Sequence, residues 1–246
     1  MNLNNALADQ RVLVVGGSSG MGLALAEQLL ADGAEVTIAG RSERRLSDVR
    51  QRLSNPEHLQ TIAADVTREG DVVQLFKTTG PLDHVVTTAA DIAGAYELLP
   101  SLEMSAIQRV IDSKLIGPLL LAKHGAPVLK SGGSITFTSG IAAYRPAPRG
   151  AAVAAVNGAL ASLAYALAVE LGPLRVNVLS PGWVDTPIWT HVAGDAKAAT
   201  LAGMAERLPV GRIGRPGDVA QAIKSLMLNG YITGTVLHVD GGQRLV

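Results

Sequence analysis

The chain has 246 residues, 48% of them hydrophobic, and its 21 Lys plus Arg are balanced by 21 Asp plus Glu. That supply of apolar residues suffices for a sizeable core, and the even charge excludes a basic surface for nucleic acid or anionic lipid, leaving a small neutral or mixed-charge ligand. The absence of cysteine excludes disulfides, Cys-based zinc sites and thiol catalysis, and the five histidines (58, 84, 124, 191, 238) lack ligand spacing, so no metal is expected.

The first ten residues, MNLNNALADQ, show neither the basic start nor the apolar stretch of a secretory leader, so the expected location is cytoplasmic. A β-branched run at 12–15 follows, bounded by Gly16 and Gly17, and from Leu23 apolar residues recur at helical spacing until Gly33. This is strand, tight turn, helix. Gly16, Gly20 and Gly22 allow the turn its dihedrals and let backbone approach a pyrophosphate, which the free amides of the new helix would hold. Ser18 and Ser19 add hydroxyl donors.

Further strand-like runs fall at 35–39, 59–63, 84–86, 134–138, 176–179 and 235–239, nearly all with helical patterns between them. They are apolar throughout rather than alternating, as suits a parallel sheet covered on both faces. The expected fold is one α/β domain over 1–246 with a doubly wound, seven-stranded parallel sheet. Its ligand crevice should gather the loops beginning at Gly16, Gly40, Asp65, Ala89, Ser139 and Pro181. A long helix starting near Ser101 contains Gly117 and Pro118, which should bend or break it. The stretch 150–171 is long enough to cross a bilayer, yet it carries Asn157, Ser162, Tyr165 and Glu170 and is mostly Ala. It reads as a helix covered partly by its own sheet and partly by another subunit.

The turn VLVVGGSSGMG (12–22), Asp65-Val66, SPGWVDTP (180–187), PVGRIGRPGDVA (209–220) and ITGTVLHVDGG (232–242) occur in this order, and with them the whole chain resembles the short-chain dehydrogenase/reductase family. The resemblance implies a Rossmann-type fold, a nicotinamide cofactor, a small-molecule substrate and a homotetramer or dimer. It assigns cofactor contacts to Gly16, Ser18, Ser19, Gly20 and Met21 in the first turn, Arg41 and Ser42 after the second strand, and Asp65 and Val66 after the third. Ala89 and Ala90, Asn157, and Pro181, Gly182, Val184 and Thr186 complete that shell. Where relatives carry an acidic residue for the adenosine ribose, this chain has Ala39-Gly40-Arg41-Ser42; a guanidinium there suits a 2′-phosphate, so NADP(H) is expected over NAD(H). The plainer reading of Arg41 is the start of a solvated helix, and that of Asp65 is support for the next helix start rather than for the adenine amino group. Thr186 matches the position that contacts the nicotinamide carboxamide or pyrophosphate.

Other positions depart from the family. The Asn-Asn-Ala-Gly run is Thr87-Thr88-Ala89-Ala90, and the Asn of the long helix is Lys114 in DSKLIGP. Ser139 is retained. The Tyr-x-x-x-Lys pair is replaced by Val153 and Asn157, fixed in register by the following Gly158-Ala159-Leu160. Relatives use that tyrosine as the proton donor and the lysine to lower its pKa and hold the nicotinamide ribose. Valine does neither, and a lost general acid costs roughly 10²- to 10⁴-fold in rate. Lys and Asn look exchanged between positions 114 and 157. Lys114 could restore positive charge near the nicotinamide, bind a substrate oxygen, or be held by Asp91; alternatively it snorkels to the surface of a bent helix. Tyr144 is the nearby phenol that could donate a proton, or it simply covers apolar surface. Trp183 and Trp189, followed by Val192, Leu201, Met204 and Leu208, fall in a segment (183–208) that forms a substrate lid in the family and suits an apolar or ring-shaped substrate. Three functions stand open: an atypical oxidoreductase on a carbonyl or alcohol using Ser139, Lys114 and Tyr144; a degenerate NADP(H)-binding module or sensor; and a non-redox isomerase or lyase.

Overall fold

The computed structural model describes residues 6–246, so the first five residues of the stretch read for a leader lie outside it. The chain runs β1 (Arg11–Val15), α1 (Gly20–Ala31), β2 (Glu35–Gly40), α2 (Glu43–Arg52), β3 (Leu59–Ala63), α3 (Glu69–Thr79) and β4 (Leu82–Thr87). It continues through α4 (Met104–Ile111), α5 (Gly117–Gly125), β5 (Leu129–Thr138), α6 (Ala151–Glu170) and β6 (Arg175–Pro181). The last elements are α7 (Ile188–Ala193), α8 (Lys197–Ala205), α9 (Pro216–Leu228) and β7 (Val236–Val239). The seven strands form one parallel sheet in the order β3-β2-β1-β4-β5-β6-β7.

Alternate strand residues feed two cores. Val12 and Val14 of β1 pack with Leu25 and Leu29 of α1, Leu46 and Val49 of α2, and Val219 and Ile223 of α9. Leu13 and Val15 pack on the other face with Phe76 of α3, Leu121 of α5, Phe137 of β5, and Leu160 and Ala164 of α6. Both faces of each central strand are therefore buried, which is why their sequences read as unbroken apolar runs. β5 begins five residues earlier than its apolar run, because the polar and glycine-rich LKSGG joins the sheet only through Leu82 opposite Leu129, with an irregular register before His84.

The helix from α4 to α5 does not break at Gly117-Pro118. The preceding turn, Asp112–Ile116, widens to a π-helix, and the chain continues into α5 with Pro118 in its first turn. Proline lacks an N–H for the helical bond to residue 114, and the wider turn carries the chain past that missing donor. Ser113 and Lys114, on this turn, are buried. The end of α9 is clamped by the Arg175 guanidinium, which donates to the carbonyls of Leu226 and, at 2.8 Å, Met227. Such clamping satisfies carbonyls that a helix end leaves open.

Candidate active site

The chain starts in the middle of the sheet, moves outward through β2 and β3, and returns to β4 on the other side of β1. In a doubly wound sheet this switch, between the loops after β1 and β4, is where a ligand is held. Gly16 has φ +82° and Gly20 φ +54°, left-handed values that favour glycine. The turn is also tight: a Cβ on Gly22 would lie 2.5 Å from both the Gly16 carbonyl and Thr88 Oγ1. Thr88, in the position where the family has Asn, donates from its hydroxyl towards the carbonyls of Val15 and Gly16, 3.3 Å from each, and so ties the β4 loop to the turn. Nothing in the local sequence marked this role. Ser19 stands at the N-cap of α1 but makes no side-chain cap, and the first turn carries no acidic residue. The amides and positive dipole end of α1 therefore remain available to an anion.

Thr186 folds back onto this turn from the far end of the chain. Its Cβ lies 3.3 Å from where a Gly20 Cβ would stand. The segment is held there by backbone: Asp185 N–H donates to Gly214 O at 2.9 Å, Gly214 N–H to Trp183 O at 3.0 Å, and Gly182 N–H to Val239 O at 3.0 Å. Gln243, which no sequence signal singled out, accepts from Trp183 N–H at 2.9 Å. These contacts join three segments distant in sequence into one strap that includes Gly182 and Val184.

At the adenosine end, Ser18 Oγ lies beside Gly40, and Ser42 Oγ accepts from Arg45 N–H at 3.3 Å as the cap of α2. Asp65 Oδ1 accepts from Thr67 N–H at 3.0 Å and from its hydroxyl at 2.8 Å, supporting the turn towards α3. Val66 is buried against Gly117, Ala89 is half-buried and Ala90 exposed. Arg41 pairs with Asp91 at 3.0 Å. Asp91 is therefore not the partner of Lys114, because the loop after β4 aims its carboxylate towards β2 instead.

Lys114 does not reach the surface either. Only 7% exposed, it points from the π turn to the end of β5, and its Nζ donates to the carbonyls of Thr138 and Ser139 at 3.3 Å each. Among the described residues no carboxylate pairs with it, and burial pushes its pKa down to about 8. Ser139 Oγ donates to the backbone carbonyl of Asn157 at 2.9 Å, leaving its lone pairs as acceptors. Asn157 is buried, its Oδ1 finds no partner among the described residues, and its amide nitrogen abuts Gly140. An unfilled buried acceptor of this kind fits a ligand hydroxyl. Val153 is packed with Val110, Val156 and Ala95, so apolar side chains occupy the tyrosine position rather than a hole.

Tyr144 is turned elsewhere. Its ring packs edge-on against His238 of β7, with centroids 4.4 Å apart, and among the described residues no hydrogen bond joins it to Ser139, Lys114 or Asn157. Burial, with Tyr165 nearby, pushes its phenol pKa up, opposite to the effect of the family's lysine. In the segment after β6, Trp183 and Trp189 pack together at 4.3 Å, and Trp189 Nε1–H donates to Val184 O at 2.9 Å. Leu201 and Leu208 are buried, Met204 is half-buried, and Val192 is exposed.

A family model described as enoyl-(acyl carrier protein) reductase matches residues 15–244. A short-chain dehydrogenase/reductase of Stachybotrys chlorohalonatus is 36% identical over 253 residues, covering 96% of this chain and 97% of that protein. Among solved structures, the MalC reductase/Diels-Alderase from Malbranchea aurantiaca superposes with a TM-score of 0.91 at 33% identity, covering 99% of each chain. A small-chain dehydrogenase in complex with NADPH superposes with a TM-score of 0.82 at 34% identity, covering 97% of this chain and 100% of that one.

Proposed function

The chain belongs to the short-chain dehydrogenase/reductase family, and from that premise we propose that it is an NADP(H)-dependent oxidoreductase of a small carbonyl or alcohol with Lys114 as the charged group of its site. The open α1 amides, the left-handed glycines and the unpartnered Asn157 Oδ1 fit the cofactor: the turn for its pyrophosphate, Arg41 for a 2′-phosphate and Asn157 for a ribose hydroxyl. NADPH supplies hydride when bound.

The observation that carries the reading is Lys114, buried at the end of β5 beside Ser139 and with no carboxylate partner among the described residues. An ammonium desolvated in this way interacts strongly with an oxygen that gains negative charge. Ser139 rotates its hydroxyl from the Asn157 carbonyl to the substrate oxygen, and Lys114 stabilises that oxygen as an alkoxide forms. With a pKa of about 8, Lys114 also holds a proton at neutral pH that it can yield to an alkoxide. Tyr144 reaches such an oxygen only if the loop after β5 moves. The apolar pair Trp183 and Trp189 favours a ring-bearing substrate, and the bare face of α6 favours a homo-oligomer.

Lys114→Met should retain NADPH binding while losing at least about a hundredfold in turnover over a panel of carbonyl compounds, the scale of one positioned acid or charge. Unchanged turnover would remove Lys114 from the mechanism. A second reading, non-redox turnover on the same scaffold, draws on the apolar Val153 cluster that replaces the phenol. Its signature is product formed with constant absorbance of the reduced nicotinamide. Tight NADPH binding with no turnover on any compound would leave a binding module.

A further inference from the structure

Arg41 and Asp91 are far apart in sequence but meet between the loops after β2 and β4, Nη1 to Oδ2 at 3.0 Å. Arg41 follows β2 and Asp91 follows β4, and those strands flank β1 on its two sides. The ion pair thus joins the loops on either side of the glycine turn. Its halves are held unequally. The Asp91 N–H donates to Ser113 Oγ at 3.0 Å, and Asp91 Oδ1 accepts from Ala93 N–H at 3.3 Å. Arg109 binds the Ala93 carbonyl at 3.0 Å, so the whole loop is moored to α4. The Arg41 side chain is 61% exposed, against 21% for Asp91, and one of its guanidinium nitrogens makes the contact. The carboxylate is held from its own loop as well, whereas the guanidinium stands mostly in solvent.

Resting on the NADP(H) reading above, we propose that Asp91 is a specificity-determining residue, which parks Arg41 across the mouth of the crevice and yields it to a 2′-phosphate. The exchange trades one exposed carboxylate contact for the two-nitrogen contact that a guanidinium makes with phosphate. An adenosine ribose without the phosphate offers nothing that draws Arg41 away, so the ion pair stays closed beside it. The carboxylate thereby sets how strongly the phosphate must compete. An exposed pair of this kind contributes up to about 1 kcal/mol, equivalent to a roughly fivefold change in affinity.

The test measures 2′,5′-ADP and 5′-ADP by calorimetry and NADPH by fluorescence, on wild type, Asp91→Asn, Arg41→Met and the double variant. Asparagine keeps an oxygen for Ala93 N–H and removes the charge. Asp91→Asn should tighten 2′,5′-ADP and NADPH by about two- to fivefold, leave 5′-ADP unchanged, and have no effect once Arg41 is methionine. Unchanged or weaker 2′,5′-ADP binding, or a gain that persists without Arg41, overturns the role of Asp91 and leaves the NADP(H) reading standing. If none of the four proteins binds NADPH or 2′,5′-ADP, the NADP(H) reading fails and the role of Asp91 fails with it.

Discussion

At the scale of single residues, Lys114 gives this site a pH dependence that an ordinary surface lysine lacks. Burial lowers its pKa from 10.5 to about 8, so between those values the unfolded chain binds a proton that the folded chain has released. Stability therefore rises with pH through that window; below about pH 8 both states are charged, and folding bears the desolvation cost. The shift corresponds to a cost on the order of 3 kcal/mol. Urea unfolding of wild type and Lys114→Met should show the variant's relative stability greatest near neutral pH and declining steadily towards about pH 10.5. A gap that does not change with pH would mean that no ammonium is buried there. The exchange of Lys and Asn between positions 114 and 157 was legible in the sequence. That Lys114 turns inward was not, because a long flexible stem on a helix is compatible with either direction until its neighbours are placed.

At the scale of elements, the glycine turn was the most legible part because its requirements are local: positive φ at Gly16 and Gly20, and no room for a Cβ at Gly22. Gly22→Ala should cost about 1–3 kcal/mol through overpacking against Gly16 and Thr88, and weaken NADPH binding by about tenfold or more as the turn shifts. Gly158→Ala, inside α6 with nothing near its Cβ position, should instead stabilise the chain by about 0.5–1 kcal/mol. Denaturant midpoints and a fluorescence titration on the two variants check the contrast. The helix from α4 to α5 was less legible. Proline disallows a regular helical bond, but whether the chain breaks, kinks or widens depends on what packs around it. Here Gly117 sits against Val66 and the widened turn carries Ser113 and Lys114 inward.

At the scale of the whole molecule, α6 leaves apolar surface uncovered: Tyr165 is 50% exposed and Val169 87%. By length and composition α6 is also the one helix among the described residues that could cross a bilayer, although its Leu160 and Ala164 pack into the sheet's second core. Sedimentation velocity should find a dimer or tetramer, and Val169→Glu should shift it to a smaller species by burying a charge in the contact. A wild-type monomer at micromolar concentration would refute the assembly. The sequence by itself determined the seven strands, the burial of the central ones on both faces and the glycine turn, since these follow from periodicity and from steric demands within a few residues; the edge strands β3 and β7 are only partly covered. Only the tertiary structure decided that Asp91 belongs to Arg41 rather than to Lys114, that Tyr144 faces His238, that Thr88 ties the β4 loop to the glycine turn, and that Gln243 ties down the segment after β6. Those pairings join residues separated by tens of positions, and a side chain's partner is fixed by how strand ends are arranged in space, which no local pattern encodes.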